Sequence, residues 1–126
     1  LIHANEFMTT TKNFRDLIVW QKAMLLVNKV YIASGHFPDS EKYALISQLR
    51  KSAVSIPSNI AESHGRTSAK DHIRYLHCAI GSLYELQTQL EISLIQDYLK
   101  KDMFDNLYED CREIERMLNT MILNHT

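Results

Sequence analysis

The chain is poor in the residues that interrupt regular structure, with three glycines and two prolines in 126 residues. That scarcity excludes a fold of many short strands and points to long helices joined by short connections. Charge of one sign is also missing. With 14 Lys and Arg against 15 Asp and Glu, the formal net charge is −1. Nucleic-acid binding would therefore need a local basic patch, or one assembled from several copies. There is no run of about 18 apolar residues to span a membrane and no charged-then-apolar leader, so a cytoplasmic protein with no membrane contact is expected. Cysteine is confined to Cys78 and Cys111, each in an apolar-periodic segment. Two reduced, partly buried thiols are expected, with a disulfide between neighbouring helices as the alternative.

The chemistry-bearing motifs are absent too. No Glu-x-x-His occurs, so the di-iron ligand set of ferritin-like bundles is missing, and no Cys-x-x-Cys supplies a zinc site. His72 and His77 are five apart, which is wrong for one helix face, and His64 adjoins Gly65 at a helix end. Ser52, Ser55 and Ser82 lie mid-helix without a Gly-x-Ser-x-Gly elbow or a Gly-rich phosphate loop. Glu62 and Glu85 are the one conceivable acid/base pair, but pairing with Arg50, Arg66 or backbone groups is the simpler reading of both. No catalytic residue, metal or cofactor is expected.

What remains is ordinary globular material, 45% apolar and 23% charged, enough for one core that buries roughly two thirds of the unfolded surface. Residues 1–12 are expected to be an N-terminal tail. Within it Leu1 to Phe7 reads as a cloning or upstream-translation remnant, because Met8-Thr-Thr-Thr-Lys resembles a natural start. Residues 13–126 are expected to form an all-α, antiparallel up-down-up-down four-helix bundle. The first helix should run from about Phe14 to Ser34, capped by Asn13, with Leu17, Trp20, Met24, Val27 and Tyr31 buried, Ile18, Leu25 and Ile32 widening that stripe, and Trp20 as core anchor. The second should span about Glu41 to His64, capped by Asp39 or Ser40. Pro57 should bend it, with Ser52 and Ser55 occupying freed carbonyls. The third should start at a Ser68–Asp71 capping box and run to about Ile95, with a close helix approach at Gly81. The fourth should cover Lys101 to Leu123, buried through Phe104, Leu107, Cys111, Ile114, Leu118 and Met121, before a frayed end at Asn124–Thr126.

The stretch Gln48 to Arg66 organises the rest. Leu45, Leu49, Ala53, Ile56 and Ile60 form its apolar face. Gln48, Ser52, Ser55, Asn59, Glu62 and Arg66 form a second, wholly polar stripe. Helix three carries a matching small and polar stripe in Cys78, Ser82, Glu85 and Gln89. Arg50, Lys51, Arg66, Lys70 and Arg74, with Lys42, Tyr43 and Tyr75 nearby, make the one basic and aromatic cluster. Such clusters hold phosphates and stack bases, but Glu41, Glu62 and Asp71 interleave here, so an ordinary solvated face is the default reading and phosphate binding needs several copies of the patch brought together.

Several of these residues make a pattern. Phe14-x-x-Leu17-x-x-Trp20-x-x-Ala23 is followed by Gln48-Leu-Arg50, Ser55-Ile56, Asn59-Ile60-Ala61-Glu62, Arg66-x-Ser68 and Gly81-Ser82-x-x-Glu85-Leu86. From Phe14 to Leu123 the chain thereby resembles the four-helix-bundle family encoded in intervening sequences of bacterial 23S ribosomal RNA genes, most specifically at Asn-Ile-Ala-Glu. It departs from the family at Ser63, where Gly is usual, and at Lys51, where a second Arg is common. Lysine there keeps the charge and loses the planar fork.

The resemblance implies a non-enzymatic cytosolic bundle that forms a homopentameric ring. It also implies kinship with accessory proteins of diversity-generating retroelements, which act with RNA and a reverse transcriptase. In such a ring the subunit contact would fall on Gln48, Ser55, Asn59, Glu62, Ser82 and Glu85. Repeated copies of Arg50, Lys51 and Arg66, with Lys70 and Arg74, would give a multivalent phosphate surface. Two readings follow: an oligomeric RNA-binding or ribonucleoprotein-associated factor, or an oligomeric protein–protein adaptor that binds no nucleic acid.

Overall fold

The computed structural model describes residues 13–125. The expectations for the tail at 1–12 and for Thr126 lie outside the described residues. Four helices make the bundle: α1 (Ile18–Ser34), α2 (Leu45–His64), α3 (Ala69–Ile95) and α4 (Lys101–Leu123). No strand occurs among the described residues. Each helix packs against two others, α1 and α3 both lying between α2 and α4, and the diagonal pairs do not meet. This is the antiparallel square that short connections impose.

Two helix starts differ from expectation. The Asn13 side chain does accept a hydrogen bond, from Arg15 N at 2.9 Å, but what it caps is a single 3-10 turn at Phe14–Asp16. Leu17 is extended (φ −72°, ψ 124°), so α1 begins only at Ile18. Likewise Asp39–Glu41 is a separate 3-10 turn, and α2 starts at Leu45. Neither Asp39 nor Ser40 caps it. The Glu41 carboxylate instead accepts from Leu45 N at 3.4 Å and from the Tyr98 hydroxyl at 2.9 Å, which ties the first connection to the third. The other boundaries fall where the side chains put them. Ser68 Oγ accepts from Asp71 N at 3.1 Å at the head of α3, and Gly35 closes α1 with its N–H on Tyr31 O.

Pro57 sits buried inside an unbroken α2. The side chains that back-bond around it are Ser58, on Val54 O at 2.8 Å, and Asn59, on Ser55 O at 2.8 Å. The expected pair does something else: Ser52 and Ser55 both turn to α3.

The core is continuous, with Leu26, Leu49, Ile56, Ile60, Leu76, Leu83, Leu86, Leu107, Ile114 and Leu118 almost fully buried. Each such side chain contributes about 1.5–3 kcal/mol of burial. For α2 and α4 the buried face is the expected one, except that Ile122 rather than Met121 closes α4. In α1 it is not. Val19, Ala23, Leu26, Val30 and Ser34 face inward, while Met24 and Tyr31 are exposed and Trp20 is half-buried, its ring edge on Phe14 at 5.3 Å. Ile18, Leu25 and Ile32 are 50%, 65% and 60% exposed. The cause is that α1 is apolar on nearly every side, so the narrower Val/Ala row can pack closely while the bulkier row stays outside. Gly81 is exposed and a Cβ there would meet nothing within 4 Å, so no close approach occurs at that point. Cys78 is exposed and Cys111 buried, both free thiols. Among the described residues no helix is long and apolar enough to cross a membrane.

Candidate nucleic-acid interface

The polar stripes of α2 and α3 meet each other within one chain. Ser52 Oγ donates to Gln89 Oε1 at 2.7 Å, and the Ser55 and Ser82 hydroxyls are 2.8 Å apart. Asn59 turns back to its own helix, donating to Ser55 O and Oγ. Buried hydroxyls and amides need partners of this kind. Gln48, Lys51 and Glu85 remain exposed at the rim of a groove of about 220 Å³ over this polar seam. Glu62 does not turn to Glu85; its carboxylate is paired with Arg66.

The five basic candidates separate into two groups. Arg50 and Lys51 lie on the first half of α2 and Arg66 just past its end, about 24 Å away at 1.5 Å per residue. Arg50 is half-buried and committed to the end of α1. Its Nε donates to Ser34 Oγ at 2.9 Å, its Nη2 to Tyr31 O at 3.2 Å, and its guanidinium lies 4.5 Å from the centre of the Tyr31 ring. A cation at a helix C-terminus that adds a bond to a last-turn carbonyl, here one that also accepts from Gly35 N, acts as a capping residue. This use of Arg50 has no local sequence signal, because its partners lie 16 and 19 residues upstream across a turn. Lys51 stays exposed beside it.

At the other end, where α2 hands over to α3, Arg66 and Arg74 come together, with Lys70 one helical turn before Arg74. Both guanidinium groups lie against one ring, Arg66 at 4.6 Å and Arg74 at 4.5 Å from the centre of Tyr75. The turn from Gly65 and the Ser68 cap set this geometry by bringing Arg66 over the second turn of α3. Arg66 also pairs with Glu62, and Arg74 Nε lies 3.7 Å from Asp71. The Glu62 hydrogen bond, above all, raises the pKa of Arg66, and a hydrogen bond to Tyr75 raises that of Arg74, so both cations are firmly charged. Beside them a shallow depression of about 400 Å³ is lined by Ser58, Ala61, Glu62, Gly65 and Arg66. Two exposed guanidinium groups on one aromatic ring, with exposed Lys70 one turn before Arg74, can grip oxyanions. Among the described residues there is no group of three or more His, Cys, Asp and Glu side chains placed to hold a metal ion.

Comparison with known proteins fits this architecture. A crystal structure of a protein of unknown function from the S23 ribosomal protein family of Bacteroides thetaiotaomicron VPI-5482 superposes with a TM-score of 0.78. The two are 23% identical, over 83% of this chain and 98% of that one; the likeness establishes the fold. No curated protein matches the sequence. The family described as 23S rRNA-intervening sequence protein matches residues 15–120, nearly the whole bundle. The chain belongs to the 23S rRNA-intervening sequence protein family.

Proposed function

We propose that the protein is a non-enzymatic, cytosolic, oligomeric RNA-binding factor whose phosphate grip is the α2–α3 corner. The observation that carries this reading is the convergence of Arg66 and Arg74 on the Tyr75 ring, with Lys70 one turn away. A chain of net charge −1 gains useful affinity for RNA only if several such corners act together. Assembly is therefore part of the proposal, and α1 supports it. On its α2 side, Trp20, Met24 and Val27 with Val54, Pro57 and Ala61 line an apolar groove of about 290 Å³. On its α4 side, next to Lys22 and Lys29, which pair with Glu113 and Asp110, runs the exposed row Ile18, Leu25 and Ile32. The occupant we assign is a second copy. A groove and a row on opposite flanks of one helix let each copy fill its neighbour, a head-to-tail contact that closes into a ring where the rotation permits. Five subunits is the number the family resemblance implies.

The test is binding of labelled single-stranded RNA by the wild type, by Arg50→Ala and by the triple variant Arg66→Ala/Lys70→Ala/Arg74→Ala. The triple variant should lose at least about 10-fold in affinity, with a shallower salt dependence, and Arg50→Ala should not. Equal binding by all three would remove the RNA reading. Light scattering of Leu25→Lys tests the assembly. Dissociation of a wild-type oligomer supports the second copy, whereas a wild-type monomer would favour an adaptor whose α1 face takes a different protein.

A further inference from the structure

The cations of the α2–α3 corner are not idle. Arg66 already holds Glu62, four residues before it, and Arg74 faces Asp71, three residues before it. At Tyr75 two cations thus stand against two carboxylates, with Lys70 exposed one turn before Arg74. We propose that Glu62 and Asp71 are built-in counter-anions, that RNA binds by displacing them with two backbone phosphates, and that the site therefore takes RNA phosphates without reading bases. The inference rests on the phosphate-binding reading of the preceding subsection and adds its regulation and ligand class.

Three observations carry it. The displaced group and the incoming one are chemically alike: carboxylate and phosphate both accept from guanidinium N–H groups, so a phosphate seated at Arg66 Nη2 or beside Arg74 Nε competes with the carboxylate now there. The pairs are solvent-exposed, with side-chain exposures of 39% and 52% for Arg66 and Glu62 and of 58% and 52% for Arg74 and Asp71. Exposed pairs contribute little and exchange readily. Finally, the ring that would otherwise stack a base is occupied by both guanidinium groups. Base stacking gives single-strand binders much of their grip; here the cations have taken that surface.

The experiment is fluorescence anisotropy with labelled single-stranded RNAs of about 20 nucleotides, one all-uridine and one all-adenosine, at about 50 mM salt. Four proteins are compared: the wild type, Glu62→Gln/Asp71→Asn, Arg66→Ala/Arg74→Ala, and the control Glu109→Gln. The control releases Arg116 on α4, removing one charge from an exposed pair elsewhere. Releasing each exposed pair is worth up to about 5-fold. Glu62→Gln/Asp71→Asn should therefore tighten binding about 2- to 25-fold, beyond the change in Glu109→Gln, which should be less than about 2-fold, and the two RNAs should bind alike within about 3-fold. Should Arg66→Ala/Arg74→Ala weaken binding while Glu62→Gln/Asp71→Asn matches the control, the displacement idea falls and the phosphate site stands. A preference for one RNA beyond about 10-fold would overturn the claim that bases go unread. If Arg66→Ala/Arg74→Ala binds like the wild type, the phosphate site itself is refuted.

Discussion

Arg50→Ala is expected to destabilise the bundle by about 2–3 kcal/mol and to leave RNA affinity unchanged in protein that remains folded. The magnitude follows from what the side chain touches. Two charge-assisted hydrogen bonds, to Ser34 Oγ and Tyr31 O, would be worth about 1.5–3 kcal/mol each if fully desolvated. Arg50 is only half-buried, so about 2 kcal/mol for the pair is the realistic figure. The contact with the Tyr31 ring adds about 0.5–1 kcal/mol. Arg50→Lys keeps the charge but offers one donor nitrogen where the fork used two, Nε and Nη2, and should lose about 1 kcal/mol. Urea unfolding followed by far-ultraviolet circular dichroism measures both losses, and in thermal unfolding the apparent Tm of Arg50→Ala should fall by about 8–12 °C. A loss below about 0.5 kcal/mol would refute the capping role. So would an RNA defect as large as that of Arg66→Ala.

Other outcomes follow from the interior. Burial pushes the Cys111 thiol up to about 12, whereas Cys78 is exposed, so a thiol reagent at pH 8 should modify one cysteine quickly and the other only on unfolding; two equally fast thiols would contradict the packing. Because the folded state keeps the Cys111 proton above the unfolded value of about 8.5, its contribution to stability is full below that pH and is lost as pH rises toward about 12. Ser52→Ala strands the buried Gln89 carbonyl and should cost about 1–3 kcal/mol, while Ser52→Ala/Gln89→Leu should cost less than the two single changes together; strict additivity would argue against the bond. Leu83→Ala, at a fully buried core position, should cost about 2–5 kcal/mol by denaturant titration.

How far the sequence carried the fold depended on how cleanly each helix segregates its faces. In α4 charged and apolar residues alternate with helical period, and Phe104, Leu107, Cys111, Ile114 and Leu118 are all buried as that spacing requires. In α2 the row Leu45, Leu49, Ala53, Ile56 and Ile60 is buried for the same reason. In α1, by contrast, apolar residues point almost everywhere, so spacing alone selected the bulky row through Trp20, Met24 and Tyr31. Packing chose Val19, Ala23, Leu26 and Val30. The 3-10 turns at Phe14–Asp16 and Asp39–Glu41 were hidden because Asn13, Asp39 and Ser40 are cap residues that head an α-helix or a single turn equally well. At the candidate site, the sequence found the cations but not their division. Arg50 looks identical to Arg66 in composition, and only a turn between α1 and α2 directs it to Ser34. Tyr75 lies one residue after Arg74, and only the α2–α3 turn brings Arg66 onto it.

Native mass spectrometry of gently purified protein tests the central claim most directly, since it reads subunit number and bound nucleic acid together. The account predicts a multiple of the 14.7 kDa chain carrying extra RNA mass, with Arg66→Ala/Lys70→Ala/Arg74→Ala keeping the multiple and losing the RNA. An RNA-free monomer of the wild type would contradict it.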